Sequence, residues 1–220
     1  MHSQPLAASP WCQTASWSGG AGLSCFAALG GGSHVVVGTP GREVLVYDVA
    51  TQQPVCSAKA PAKDWLGMYV QIVCASAAFL QDAGHHSTLL VGGDHQLRLF
   101  DFRAQRRAVR TMALGDKGLV TALVVQRGGA QAVGGTSRGQ LAQFDLASGR
   151  CIGALKVRGG EGSAIARRAS HLCHPGPPSL CQGCTGAVRS LSQHPTLPLL
   201  AATGARNPTR FVRCAMQQPG

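Results

Sequence analysis

Acidic residues are scarce in this chain of 220 residues. Asp and Glu together number 9, against 20 Lys and Arg, so the formal net charge is +11. Acid–base catalysis usually relies on carboxylates placed in pairs, and such pairs are hard to find among so few acids. The glycine-rich turns also lack the Gly-Lys-Ser/Thr ending of a phosphate-binding loop. The sequence therefore predicts a protein that is not an enzyme and that binds no cofactor.

Long apolar runs are absent as well. The longest run is about five residues, whereas a membrane-spanning helix needs about 20. Residues 1–10 lack the basic region and apolar block of a signal peptide. These absences predict a nuclear or cytosolic protein with no membrane partner. Its nine cysteines are odd in number and irregularly spaced, so we expect free thiols rather than a disulfide framework.

Three parts of the chain repeat one order of elements. Each has an apolar strand that ends near glycine, a turn, an alternating strand, and an aromatic residue followed by Asp. The paired strands are 34–38 with 43–48, 88–92 with 96–101, and 130–134 with 140–145. The closing aspartates lie 53 and 44 residues apart, close to the ~40–45 residues of a WD-repeat blade. A fourth, incomplete copy spans 186–204. The pattern predicts an all-β WD-repeat β-propeller with little helix.

The closing aspartates have a predicted structural role. Asp48, Asp101 and Asp145 each stand at a strand end, where a carboxylate can accept backbone N–H bonds in the following turn. We refer to them as the turn aspartates.

Three stretches of the sequence carry a closer resemblance. They are Asp94–Arg107 (DHQLRLFDFRAQRR), Gly139–Arg150 (GQLAQFDLASGR) and Gly186–Ala201 (GAVRSLSQHPTLPLLA). In order and spacing, these motifs resemble the WD-repeat ribosome-biogenesis factor family, which includes a yeast nucleolar member. The resemblance covers about residues 22–204 and omits one block.

The resemblance implies a function as well as a fold. It implies a non-catalytic scaffold in large ribosomal subunit biogenesis and rRNA processing, located in the nucleus and nucleolus. The implied partners are large-subunit precursor particles, rRNA and assembly factors, and an AAA-type ATPase that releases the protein. Members of the family form seven-bladed propellers, whereas this chain accounts for about four blades, so we expect an incomplete arc.

The same interpretation divides the chain into five parts. We expect a disordered N-terminal segment (1–21), WD-repeat blades (22–156), a disordered insertion (157–182), a partial last blade (183–213) and a tail (214–220). The insertion is rich in Gly, Pro, Ser and Arg and has no apolar periodicity, which is typical of disorder. As a hypothesis, it represents translated intron sequence, and cDNA in which every transcript retained this stretch would refute that origin.

A cluster of metal-binding residue types lies in and just after this insertion. It consists of His171, Cys173, His174, Cys181 and Cys184. The gap between Cys173 and Cys181 is shorter than the ~12–20 residues that usually separate zinc ligand pairs. Cys184 also belongs as readily to the next blade. The spacing thus favours a fortuitous cluster, and we expect no metal site.

Five arginines cluster around one strand, turn and strand: Arg98, Arg103, Arg106, Arg107 and Arg110. They form a candidate RNA-binding or partner-binding rim, because guanidinium groups bind phosphate and phosphate contacts give affinity without sequence specificity. The alternative is a solvated hairpin face that only discourages edge pairing. Two other functions stay open on the sequence, a general WD-repeat adaptor for protein partners and a truncated product with no independent function.

Overall fold

The computed structural model of the protein describes residues 22–63, 65–80, 86–114, 118–126, 129–154, 186–194, 199–205 and 210–213. All regular elements in these ranges are β-strands. None of these residues forms a helix long and apolar enough to cross a membrane. The expected all-β architecture is confirmed. The insertion 157–182 and both predicted end segments (1–21 and 214–220) lie outside the described residues.

Among the described residues, fifteen strands form four sheets, each of them antiparallel. The first sheet contains β1 (Cys25–Ala28), β2 (His34–Gly38), β3 (Leu45–Asp48) and β4 (Pro54–Ser57). The second contains β5 (Ser76–Phe79), β6 (Thr88–Gly92), β7 (Gln96–Asp101) and β8 (Arg110–Ala113). The third contains β9 (Val120–Val125), β10 (Gln131–Thr136), β11 (Leu141–Asp145) and β12 (Arg150–Ala154). The fourth contains β13 (Val188–Gln193), β14 (Leu199–Gly204) and β15 (Arg210–Arg213).

Within each sheet, the strands follow chain order, and every neighbouring pair is antiparallel. The first strands of successive sheets pack on one another, β1 on β5, β5 on β9 and β9 on β13. These four strands therefore line the inside of the arc, and the last strand of each sheet lies on the outside. The arrangement is that of a partial β-propeller.

In the part of the chain that the structure describes, three apolar cores lie between the four sheets. The first contains Val36, Val46, Leu89 and Phe100 and lies between the first and second sheets. The second, between the second and third sheets, is built around Leu90, Leu97 and Phe144. The third, between the third and fourth sheets, is built around Val133, Leu141, Val188 and Leu200.

Strand alternation explains how one strand serves two cores. In β6, Leu89 and Val91 belong to the first core, and Leu90, which points to the opposite face, belongs to the second. A sheet inside the arc is thus covered on both faces. The alternating sequence alone is equally consistent with one buried and one exposed face.

Glycines in the second strands allow close approach between sheets. A Cβ added at Gly92 would lie 2.7 Å from Val120 Cγ1 of the next sheet, and one added at Gly135 would lie 2.6 Å from Val188 Cγ1. Real Cβ atoms do not approach carbon atoms so closely. Backbone packing at these two positions therefore requires the absence of a side chain.

Candidate binding surface

The turn aspartates make the same contact in three successive sheets. Each lies at the end of the third strand, and its Oδ1 accepts a hydrogen bond from the backbone N–H two residues later. The donor–acceptor pairs are Ala50 with Asp48, Arg103 with Asp101 and Ala147 with Asp145, each at 3.0 Å. This contact closes the turn that leads into the outermost strand.

These contacts stabilise the charged form of each aspartate, so each pKa is lowered. The main cause is the backbone N–H of Ala50 for Asp48, the side chain of Arg103 for Asp101, and the side chain of Ser148 for Asp145. The turn aspartates are therefore ionised at neutral pH and act as fixed acceptors.

Four of the five clustered arginines are exposed, and we call them the outer arginines: Arg103, Arg106, Arg107 and Arg110. They lie in the turn between β7 and β8 or at the start of β8. Three of them donate to backbone carbonyls of a neighbouring sheet or its connection. Arg106 Nε donates to Ser57 O at 2.9 Å, Arg107 Nε to Ala60 O at 3.3 Å, and Arg110 Nη1 to Leu146 O at 3.1 Å.

These bonds tie the second sheet to its surroundings. Arg106 reaches back to β4 of the first sheet, Arg107 to the connection that follows β4, and Arg110 forward to the turn after β11 of the third sheet. A guanidinium carries five N–H donors, so each side chain keeps donors beyond those used in the bridge. Phosphate binding and sheet bridging are thus compatible at these positions, and RNA binding by the outer arginines stays a prediction.

Arg98 has a different location, and the structure removes it from the predicted rim. Its side chain is almost fully buried, with 4% of its surface exposed, between the first and second sheets. Its Nη1 donates to the Glu43 carboxylate, and its Nη2 donates to Val73 O at 3.1 Å. Arg98 alternates with Leu97 and Leu99 along β7, so it shares a face with Phe100, and that face is covered by the first sheet.

Glu43 is the buried partner of this ion pair. Burial raises the pKa of its carboxyl above the usual value, while the Arg98 charge beside it acts in the opposite direction. The two residues are 55 positions apart, in different repeats. The sequence does not predict this pair, because one repeat gives no information on which residues the next repeat packs against it.

A cavity of about 340 Å³ lies next to the ion pair. Its charged lining consists of Arg98 and Glu43 together with the exposed Lys59 and Arg107. The rest of its lining is mainly apolar, with two polar residues: Pro61, Ala62, Val70, Phe100, Ala108, Gln96 and Thr111. The cavity is formed by later strands of the first two sheets and by the connection between them, away from the strands that line the inside of the arc.

The connection from β4 to β5 contributes Lys59, Pro61, Ala62 and Val70 to the lining of this cavity, and the residues between Ala62 and Val70 include several that are highly exposed. Trp65 exposes 91% of its surface and Tyr69 83%, and Leu66 and Met68 are also exposed. Lys63 Nζ lies 4.6 Å from the centre of the Tyr69 ring, within the range of a cation–π contact. Large apolar side chains clustered at the surface of a soluble protein often indicate an interaction site.

One motif of serine hydrolases occurs by sequence, Gly-x-Ser-x-Gly at Gly135–Gly139. In hydrolases this motif forms a sharp turn from a strand into a helix. Here it forms the turn between the antiparallel strands β10 and β11, and the Ser137 Oγ accepts the Leu119 N–H at 3.2 Å. The geometry of a nucleophile elbow is therefore missing at this serine.

The described residues contain no group of three or more His, Cys, Asp or Glu placed to hold a metal ion. The cluster from His171 to Cys184 lies outside the described residues. Within them, Cys25, Cys56, Cys74 and Cys151 are free thiols. Burial raises the pKa of Cys74 to about 12, so this thiol is neutral and a poor nucleophile at physiological pH.

Comparison with known proteins identifies relatives. No family model matches the chain. Over 182 residues it is 32% identical to WD repeat-containing protein 74 of Homo sapiens and of Mus musculus, and 30% identical to that of Bos taurus. Each match covers 81% of this chain and 40% of the relative, so the chain spans about two fifths of the length of these curated relatives. The repeats, the four sheets and these matches agree: the chain has the fold of a partial β-propeller and is a partial relative of WD repeat-containing protein 74.

Proposed function

We propose that this protein is a non-catalytic scaffold in large ribosomal subunit biogenesis and rRNA processing. WD-repeat propellers typically serve as platforms for protein interaction, and that general role is supported by the relatives. The ribosomal role is more specific than this general role in protein interaction. The observation that supports it is the order of the motifs at 94–107, 139–150 and 186–201, which resembles that of the WD-repeat ribosome-biogenesis factors.

Charge is consistent with such a role. The chain carries a formal +11, and the outer arginines lie together on one exposed turn. A positive surface favours association with the phosphate backbone of RNA. The proposed partners are large-subunit precursor particles with their rRNA and assembly factors, and an AAA-type ATPase as the releasing factor. The proposed location is the nucleolus.

Sucrose-gradient sedimentation of a nuclear extract tests the proposal. A tagged copy of the full chain is expected to co-sediment with large-subunit precursors and to move to the top of the gradient after RNase treatment or depletion of precursors. Microscopy of the same cells is expected to show nucleolar signal. A tagged protein that stays at the top of the gradient in untreated extract would refute the ribosomal role.

A general adaptor for protein partners is the second candidate, and one observation favours it. Three of the outer arginines already donate to backbone carbonyls of neighbouring sheets or of the connection between β4 and β5. If holding the sheets together is their only role, the case for RNA binding at this turn weakens. Under this alternative, the protein would co-purify with protein partners in RNase-treated extract and would be absent from precursor fractions.

A further inference from the structure

We propose that the cavity between the first two sheets binds an acidic segment of a partner protein, with a carboxylate side chain inserted between Lys59 and Arg107. This inference uses the protein-interaction role that both candidate functions share and does not depend on the ribosomal role. It places a binding site on the outer part of the arc, between two sheets.

The charges of the cavity favour an anion. Arg98 and Glu43 pair with each other at one wall, and their charges offset each other. Lys59 and Arg107 remain, both exposed, and Arg107 is held beside the cavity by its bond to Ala60 O. Two cations next to a low-dielectric wall attract a negative group more strongly than cations on an open surface do.

A buried donor adds a second observation. Arg98 Nε is buried and has no hydrogen-bond acceptor among the described residues. Buried donors of this kind are rare in folded proteins, because each costs the free energy of its lost hydration. An acceptor oxygen brought in at this wall, with a small shift of the side chain, would supply the missing bond.

The shape and lining of the cavity favour a carboxylate on an aliphatic side chain over a nucleotide. A volume of about 340 Å³ suits one or two side chains. Pro61, Val70 and Ala108 give aliphatic walls that fit the methylene groups of a Glu side chain. A phosphate bound there would lose hydration against the same walls, and the Phe100 ring is buried and offers no open face for a base.

The exposed connection between β4 and β5 suggests which residues flank the acidic side chain in the partner segment. Trp65 and Tyr69 are large, exposed and close in sequence to the cavity residue Val70. Trp and Tyr are enriched where protein interfaces are buried, since they combine apolar area with a polar group. We therefore expect the partner segment to alternate acidic and apolar residues.

Fluorescence anisotropy tests the site with a labelled peptide of alternating Glu and Leu. The full chain should bind this peptide more tightly than the matched Gln and Leu peptide, and raising the salt concentration should weaken binding of the acidic peptide alone. The variant Lys59→Gln, Arg107→Gln should bind it about five- to ten-fold more weakly, the reduction expected from two partly screened charge pairs.

Two further variants control for charge and for folding. Arg150→Gln with Arg189→Gln removes two exposed cations elsewhere and should leave affinity within about two-fold, the scale of long-range screening. Lys59→Arg with Arg107→Lys keeps the charge and should retain binding. In a Trp11→Phe, Trp17→Phe background, Trp65 is the only tryptophan, and its emission should change when peptide binds.

Several results would overturn the proposal. Equal binding of the Glu and Gln peptides would show that the site does not recognise a carboxylate. An equal reduction of affinity in the Arg150, Arg189 variant would mean a non-specific charge effect. Displacement of the acidic peptide by hexauridylate at lower concentration than by unlabelled peptide would assign the cavity to RNA. All of these outcomes are independent of the sedimentation experiment, so the site and the ribosomal role can fail separately.

Discussion

The buried Arg98–Glu43 pair gives the sharpest test of how the first two sheets are held together. Replacing Arg98 by Met keeps most of the side-chain volume and leaves the Glu43 carboxylate buried without its counter-charge. Breaking a buried ion pair from one side costs about 3–5 kcal/mol, a large part of the ~5–15 kcal/mol that stabilises a typical domain. Replacing both partners, Arg98→Met with Glu43→Leu, should cost much less, because no unpaired charge remains.

The pH dependence of the single variant follows from the direction of the Glu43 pKa. A carboxyl whose pKa is higher in the folded state binds its proton more tightly there than in the unfolded chain. This tighter proton binding therefore stabilises the folded state fully at pH values below the unfolded-state pKa of about 4.3, and the stabilisation is lost as the pH rises through the folded-state pKa. Arg98→Met removes the charge that lowers this pKa, so the variant should lose most stability near pH 8 and less near pH 5.

Urea denaturation followed by far-ultraviolet circular dichroism measures these differences. Arg103→Met is the matched control, because Arg103 pairs with Asp101 at the exposed surface, where such pairs contribute about 0–1 kcal/mol. A single Arg98 variant as stable as the Arg103 control would refute the reasoning. So would a double variant that loses the sum of the two single changes, since that would mean that the two side chains do not interact.

Three further predictions concern other parts of the fold. Gly135→Ala should lower the free energy of unfolding by about 1–3 kcal/mol in urea denaturation, because the added Cβ would overlap Val188. The control Gly153→Ala should be nearly neutral, since no atom lies within 4 Å of its added Cβ, and equal effects of the two variants would contradict the close approach of the sheets. The lowered pKa values of the turn aspartates predict a contribution to stability that is present above about pH 4 and is lost as the pH falls through the folded-state pKa values. In acid titrations, the variant with all three aspartates replaced by Asn should lose less stability between pH 5 and 2, and an unchanged acid transition would argue against these hydrogen bonds. Replacing Arg103 and Arg106 together by Ala should reduce the slope of log affinity for rRNA against log salt concentration by ~0.7–0.9 for each phosphate that the protein no longer neutralises. An unchanged slope would mean that RNA binds at another surface.

Much of the fold could be predicted from local sequence. Alternating apolar residues in 43–48, 96–101 and 140–145, each ending in an aromatic residue and Asp, indicate the third strand of three sheets and the turn that follows. These features are local, since a strand and its hairpin partner lie within about 15 residues of each other. The pattern also occurs several times along the chain, so it is visible without knowledge of the packing between sheets.

The packing between sheets could not be predicted in the same way. Arg98 meets Glu43 only because the second sheet packs on the first, and the sequence of either repeat is consistent with an exposed arginine. One signal was available. In a propeller, an inner sheet is covered on both faces, so a charged residue in the centre of Leu97–Phe100 has to be buried, and a buried charge requires a partner. Nothing in the sequence distinguishes Glu43 from the other eight acids as that partner, so the pair itself could not be predicted.

The close approach at glycine and the bridges made by arginine together control the curvature of the arc. Near its inside, Gly92 and Gly135 remove side chains where one backbone meets the next sheet. Toward its outside, Arg106 and Arg110 span the gap with the longest side chains available. Between the second and third sheets, where Gly92 and Arg110 both lie, side-chain length thus increases from the axis outward, which gives this pair of sheets the taper of a wedge. We expect any further blade that joins this arc, in this chain or from another, to need a comparable taper where it packs, with little side-chain volume near the axis and longer side chains toward the rim.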